Sequence, residues 1–160
     1  MNTGQSLLTL GAMLLLSFIS LNFNSAILQN TTVETENKVY LTAFSLGDDL
    51  IEEIKQKAFD EKTIDFQAIN QNQLTYPPGK EIGEVWPYFD DMDDYNNYNK
   101  PVSLPHVEDY VVTCQVNYVN AAGQTLTTPS YFKKVSIKVD SKYLRSPLYM
   151  NFIFSLHSKN

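Results

Sequence analysis

One cysteine, two histidines and no charged side chain before Glu34 are what this chain has little of, and each scarcity excludes some chemistry. Cys114 alone rules out an intrachain disulfide and a Cys-rich zinc site. His106 and His157 leave little material for a histidine metal site or a catalytic triad. Charge is sparse at 19%, and Lys+Arg 12 against Asp+Glu 18 gives a net −6. That balance argues against a nucleic-acid partner, whose grip rests on clustered Lys and Arg facing phosphates. What remains is apolar: 43% of the 160 residues, enough for one globular domain with an appendage.

The appendage is N-terminal. Residues 7–28 read LLTLGAMLLLSFISLNFNSAIL, mostly apolar and uncharged. At 1.5 Å per residue such a helix is roughly 33 Å long, about the hydrocarbon thickness of a bilayer. Thr9, Ser17 and Ser20 can return their hydroxyls to the preceding turn, which makes them tolerable in lipid. Three readings compete: a cleaved signal peptide, with residues 24–26 as its processing site, a plain single-pass anchor, and an anchor that also assembles. No Lys or Arg precedes the apolar run, contrary to the usual signal-peptide pattern. Gly11, Ala12, Ser17 and Ser20 are small enough for close helix–helix approach, though ordinary anchors contain such residues too.

Beyond residue 28 the helical pattern continues without a breaker. Residues 26–61 hold no proline and a single glycine, Gly47. Val33, Tyr40, Phe44, Gly47, Leu50, Ile51, Ile54 and Ala58 recur at helical spacing and predict one apolar stripe. The opposite face carries Glu36, Lys38, Asp48, Asp49, Glu52, Glu53, Lys55 and Lys57, with Glu53 and Lys57 in favourable i,i+4 order. The expectation is one helix of about 50 residues, apolar all round at first and amphipathic later.

Residues 62–105 show turn chemistry and little periodicity: Pro77-Pro78-Gly79, Gly83, Pro87, Asn96-Asn97 and Pro101. Trp86, Tyr88, Phe89, Tyr95 and Tyr98 lie there, so the stretch reads as an ordered wrap whose aromatics need burial. Period-two alternation follows. Tyr110, Val112, Cys114, Val116 and Tyr118 share one strand face; Val135, Ile137 and Val139 another; Leu148, Met150, Phe152, Phe154 and Leu156 a third. Three strands with short links predict an antiparallel meander whose apolar face is covered by the amphipathic half of the helix.

Asp90, Asp91, Asp93 and Asp94, followed by Tyr95, gather four carboxylates in five positions. Two readings stand. In one, the Asp side chains accept backbone N–H groups of a turn while Phe89 and Tyr95 pack. In the other, the loop holds a hard cation such as calcium; it lacks the glycine and the distant Glu of an EF-hand. A glycosidase pair is disfavoured, because neighbouring loop residues rarely face each other across a substrate. Cys114 on the apolar strand face reads as a buried, inert thiol.

Three stretches in this order resemble the type IV pilin and type II secretion pseudopilin superfamily, especially its minor pilins. They are Gly4-Gln-Ser-Leu-Leu-Thr-Leu-Gly-Ala-Met-Leu-Leu-Leu, Ala43-Phe-Ser-Leu-Gly-Asp-Asp-Leu-Ile-Glu-Glu-Ile and Phe89-Asp-Asp-Met-Asp-Asp-Tyr. The resemblance implies processing by a prepilin peptidase between Gly4 and Gln5, and helix assembly through the region of Thr9, Gly11 and Ala12. The family's usual fifth mature residue is Glu, and Thr9 stands there; a frequent helix-kinking proline is replaced by Ala26.

The expected fold is α+β and pilin-like. It has a leader (1–4), a transmembrane half-helix (5–28), an amphipathic half (29–61), a loop-rich region (62–105) and a β-meander (106–160). The expected function is a membrane-anchored, non-enzymatic minor pilin or pseudopilin-like subunit of an envelope filament. Its partners would be pilin-like subunits, their assembly machinery and membrane lipid. The resemblance implies a single-pass protein of the cytoplasmic membrane with its domain outside the cytoplasm. No cofactor is expected, calcium at the acidic loop being the one open candidate. The alternative is a single-pass envelope domain that binds a partner through residues 86–98 without assembling. A secreted hydrolase lacks any nameable site.

Overall fold

The computed structural model describes residues 2–64, 70–104 and 107–156; Met1, Pro105, His106 and His157, which figured in the sequence reading, lie outside them. The chain divides into two compact units, residues 1–39 and 40–160.

The first unit is helical. Helix α1 (Thr3–Lys55) begins in it and runs without interruption through Asn30, Thr31 and Thr32. These residues are poor helix formers, but Thr31 and Thr32 donate their hydroxyls to the carbonyls of Ile27 and Leu28, both at 3.0 Å. Thr9 does the same to Ser6 and Gln5, at 2.9 and 3.1 Å, and Ser17 to Met13 at 2.8 Å. Such back-bonding hides the hydroxyls inside the helix's own polar backbone. The side chains between are exposed and apolar, among them Leu8, Leu14, Leu16, Phe18 and Leu21. Among the described residues α1 alone is long and apolar enough to cross a membrane.

The second unit is α+β. Four strands, β1 (Tyr98–Leu104), β2 (Val107–Tyr118), β3 (Phe132–Ser141) and β4 (Leu148–Ser155), form an antiparallel sheet in chain order, and residues 40–55 of α1 pack on it. The inward faces are those that alternation predicts. Tyr110, Val112, Cys114, Val116 and Tyr118 are buried, as are Val135, Ile137 and Val139, and the inward residues of β4 are half-buried.

Three features depart from the sequence reading. First, β1 lies in the stretch read as loop. Its Pro101 argued against a strand, but β1 is an edge, where a missing N–H costs no ladder bond on the open side. Second, the helical stripe is as predicted at Gly47, Leu50, Ile51 and Ile54 but not before them, where Val39 and Ala43 take the inward places. Ala43, Gly47, Leu50, Ile51 and Ile54 are buried, whereas Val33, Tyr40 and Phe44 are exposed. Small residues face the sheet because the backbone comes close: a Cβ on Gly47 would sit 2.6 Å from Met150 Sδ. Third, α1 ends at Lys55, short of the expected 61. The backbone of Ala58 is taken up by the acidic loop instead: its N–H donates to Asp90 O and its carbonyl accepts from Met92 N–H, both at 3.0 Å.

Cys114 is 1% exposed, and burial pushes its thiol up to about 12. At neutral pH about one thiol in 100,000 is then ionised, and the thiolate is the reactive form. Native protein is expected to resist a thiol-specific reagent at least a hundredfold better than denatured protein. Equal labelling rates would show the strand face to be open.

Candidate functional site

The second unit gathers acidic side chains around a single lysine. β3 alternates, so Lys133 shares the inward face with Val135, Ile137 and Val139 and is fully buried. Its ammonium donates to Phe59 O at 2.6 Å and to Asp60 Oδ2 at 3.0 Å, and meets Asp93 Oδ1 at 2.7 Å as an ion contact outside ideal hydrogen-bond angles. The ammonium also lies over the rings of Phe59 and Tyr118, 4.6 and 4.9 Å from their centroids. Three donors meet three oxygens, so the ammonium's capacity is used up.

Asp60 is the hub. Its Oδ2 lies 2.6 Å from the Tyr118 hydroxyl, which donates to it, and its Oδ1 accepts from Lys62 N–H at 3.1 Å and from the Thr75 hydroxyl at 3.0 Å. Burial works to raise its carboxyl, but the Lys133 charge and these donors outweigh it and hold Asp60 below the usual range. Burial and the bond to Asp60 push the Tyr118 hydroxyl upward. The chain thereby ties residues 59–62, 75, 93, 118 and 133 together through one ion cluster.

The acidic loop supplies the remainder. Asp91 Oδ1 accepts from the N–H groups of Asp93 and Asp94, at 2.6 and 3.2 Å, and so opens the 3-10 turn Asp93–Tyr95. Asp94 Oδ2 accepts from Asp90 N–H at 3.0 Å. Phe89 and Tyr95 pack edge to face, 5.0 Å between centroids. The Tyr95 hydroxyl donates to Glu53 Oε1 of α1 at 2.7 Å, and Trp86 Nε1 donates to the same oxygen at 3.1 Å. Glu53 thus anchors the loop and does not form the expected pair with Lys57, whose ammonium donates to Phe89 O at 2.5 Å. The turn reading of the loop describes these contacts. The expectation that all its aromatics need burial fails at Tyr88, 80% exposed, and at Trp86, where Lys100 stacks 3.6 Å from the ring centroid.

The four aspartates divide between two environments. Asp93 faces Lys133, and Asp91 caps the turn; Asp90 and Asp94 turn toward Glu84. Burial pushes Asp91 up to about 6 and Asp93 to about 8, with Lys133 pulling both back. Burial and contact with Glu84 push Asp94 up to about 7, and the same two causes push Glu81 up to about 7. Burial also acts to raise Glu84, but hydrogen bonds from Glu81 and Asp94 overcome it and hold Glu84 low. Glu81 and Glu84 meet because residues 81–84 form a tight turn: Glu84 N–H donates to Glu81 O at 3.3 Å. Gly83, at φ +100°, occupies its third position, where a type II turn requires the left-handed region.

No protein-family model, curated protein or solved structure matches the chain.

Gly4, Gln5, Thr9, Gly11 and Ala12 all lie on α1 in the first unit. Space around Gly4 and Gly11 is open, and the Thr9 hydroxyl is engaged with its own helix. Asp60, Lys133, Glu61, Glu81 and Glu84 were not singled out from sequence, and Glu53 and Tyr118 were read only as a helix-face charge and a strand-face residue. Lys133 was the one with a signal, since it stands in register with three buried apolar residues of β3.

Proposed function

We propose that this protein is a membrane-anchored, pilin-like structural subunit of an envelope filament or secretion machine. One observation carries the reading: a single 53-residue helix, exposed and apolar over residues 7–28, whose last turns cover an antiparallel sheet. A plain anchor requires only the first part. A filament subunit requires in addition that the apolar segment be continuous in sequence with a helix of the folded domain, and α1 has that continuity. The order of the three resembling stretches supports the same reading, with the acidic stretch forming the loop that closes on Glu53. In this reading Thr9, Gly11 and Ala12 lie on the surface that meets other subunits, and the sheet-bearing unit lies outside the cytoplasm.

The test is the N-terminus of the chain co-expressed with a prepilin peptidase. Intact-mass and N-terminal peptide analysis should show the chain starting at Gln5, and Gly4→Leu should block the cut. A chain retaining Met1, or one starting near Ile27, would refute the assignment.

A second reading has one observation in its favour. Ile82, Val85 and Tyr88 are each more than half exposed, an apolar cluster on the loop that precedes the acidic turn. In that reading the loop grips a partner and no filament forms. Cross-linking in membranes separates the two: filament membership yields adducts with pilin-like chains through the first unit, and loop binding yields adducts through residues 82–88.

A further inference from the structure

We propose that Lys133 and Asp93 are the two halves of an intramolecular isopeptide bond, formed by loss of water with Asp60 as the proton carrier. This inference is independent of the filament reading. The Lys133 nitrogen lies 2.7 Å from Asp93 Oδ1 and 3.0 Å from Asp60 Oδ2, and all three side chains are fully buried. The rings of Phe59 and Tyr118 flank the nitrogen, their centroids 4.6 and 4.9 Å away. A nucleophile, a carboxyl carbon and a proton acceptor thus share one site shut off from solvent. Holding reacting groups in contact in this way removes most of the entropic cost of bringing them together.

The two carboxyl groups differ, and the difference assigns their roles. Asp60 accepts from Lys133, Tyr118, the Thr75 hydroxyl and the Lys62 N–H, partners that hold it below the usual range. An ionised carboxylate resists attack by an amine but can take up a proton. Asp93 is the reverse. Both of its side-chain oxygens are buried, and neither accepts a hydrogen bond of good geometry. Burial pushes its carboxyl up to about 8, so at neutral pH most of it is the uncharged acid. The uncharged acid is the form whose carbon an amine attacks. In water the same condensation is uphill, because acid and amine are held apart as solvated ions; burial has already removed that solvation here.

In the reaction the Lys133 ammonium gives one proton to Asp60. The free amine forms a C–N bond to Asp93 Cγ. The Cγ–OH bond then breaks, and the hydroxyl leaves as water with a second proton from the nitrogen, relayed through Asp60. An amide, one water and a protonated Asp60 remain; net charge is unchanged and no electron is transferred. The ion cluster is the folded precursor of this bond, which would tie β3 to the 3-10 turn Asp93–Tyr95.

The full chain, purified in detergent and shown by circular dichroism to be folded, is denatured and weighed by mass spectrometry. Counted from whichever residue it begins at, it should fall short of its sequence mass by one water, about 18 Da. A tryptic digest should contain a branched peptide joining Asp93 to Lys133, uncut after Lys133. Lys133→Met and Asp93→Ala should each restore the full mass. Asp60→Asn should slow bond formation about a hundredfold or more and so leave the chain at full mass. Asp48→Asn, on the exposed face of α1, should lose the water as the parent does. A succinimide at an aspartate also costs one water, but it leaves no branch and survives Lys133→Met. Should Asp60→Asn fail to fold, the branched peptide of the parent decides. The proposal is overturned if the folded parent keeps its full mass, if the loss persists in Lys133→Met, or if folded Asp60→Asn condenses as completely as the parent.

Discussion

Lys133→Ala is expected to destabilise the sheet-bearing unit by about 3–5 kcal/mol, the range for removing one partner of a buried ion pair. In a unit of this size that corresponds to a Tm lower by roughly 10–20 °C. The side chains of Lys133, Asp60 and Asp93 are all fully buried, so the usual discount for solvent screening does not apply. The loss has two sources. Asp60 would be left as a buried carboxylate without its cation, Asp93 would lose the charge that pulls its raised carboxyl back down, and the Phe59 carbonyl would lose its donor. The alternative is that the lysine stem merely fills space. Lys133→Met separates the two, since it keeps most of the stem and deletes the charge. If charge dominates, Lys133→Met falls nearly as far as Lys133→Ala, and adding Asp93→Asn recovers part of the loss. Thermal unfolding of the full chain in detergent, followed by circular dichroism, reads all four proteins. A Lys133→Ala chain that melts with its parent would show that the ion cluster contributes nothing to stability.

The second large effect is on membrane retention. Leu14→Arg combined with Phe18→Arg should release the chain from membranes. An arginine near the middle of a spanning helix costs about 2.5–3.5 kcal/mol on the insertion scale, and the lost Leu and Phe add a few tenths each. The sum, about 6–8 kcal/mol, lowers partition by a factor on the order of 10,000 or more. Both positions are exposed apolar residues of α1, one turn apart on the same face. The expected readout is loss of the carbonate-resistant fraction. Leu41→Arg is the control, since that residue is equally exposed but lies beyond the uncharged stretch. A parent chain that itself washes off with carbonate would mean that residues 7–28 do not span the bilayer.

Legibility varied with the distance over which each feature is decided. The continuity of α1 could be read because no proline interrupts residues 26–61 and helical hydrogen bonds span only four positions. The inward faces of β2, β3 and β4 could be read because side chains alternate along a strand wherever it pairs. β1 was hidden by Pro101, whose tolerance depends on lying at an edge, and an edge is a property of the assembled sheet. The α1 stripe was read rightly from Gly47 to Ile54 and misread before it, because Tyr40 and Phe44 are larger than Val39 and Ala43, and hydrophobicity favours the larger side chains. Close packing favours the smaller ones where β4 comes near, as Gly47 and Met150 do. The end of α1 at Lys55 depended on Ala58 meeting Asp91, 33 residues further along the chain.

The acidic loop draws the same line most clearly. Its turn chemistry is local: Asp91 and Asp94 bond to backbone N–H groups within four residues, and four adjacent aspartates predict as much. Which carboxylate faces the buried ammonium, and which turns toward Glu84, was decided by where β3 and the turn at Gly83 arrive. Sequence by itself determined the apolar segment, the helix through it and the alternating strands, because each follows from residues a few positions apart. Only the tertiary structure decided the charge pairing. Lys133 lies 73 positions from Asp60, and their union depends on both being carried out of water by the same core.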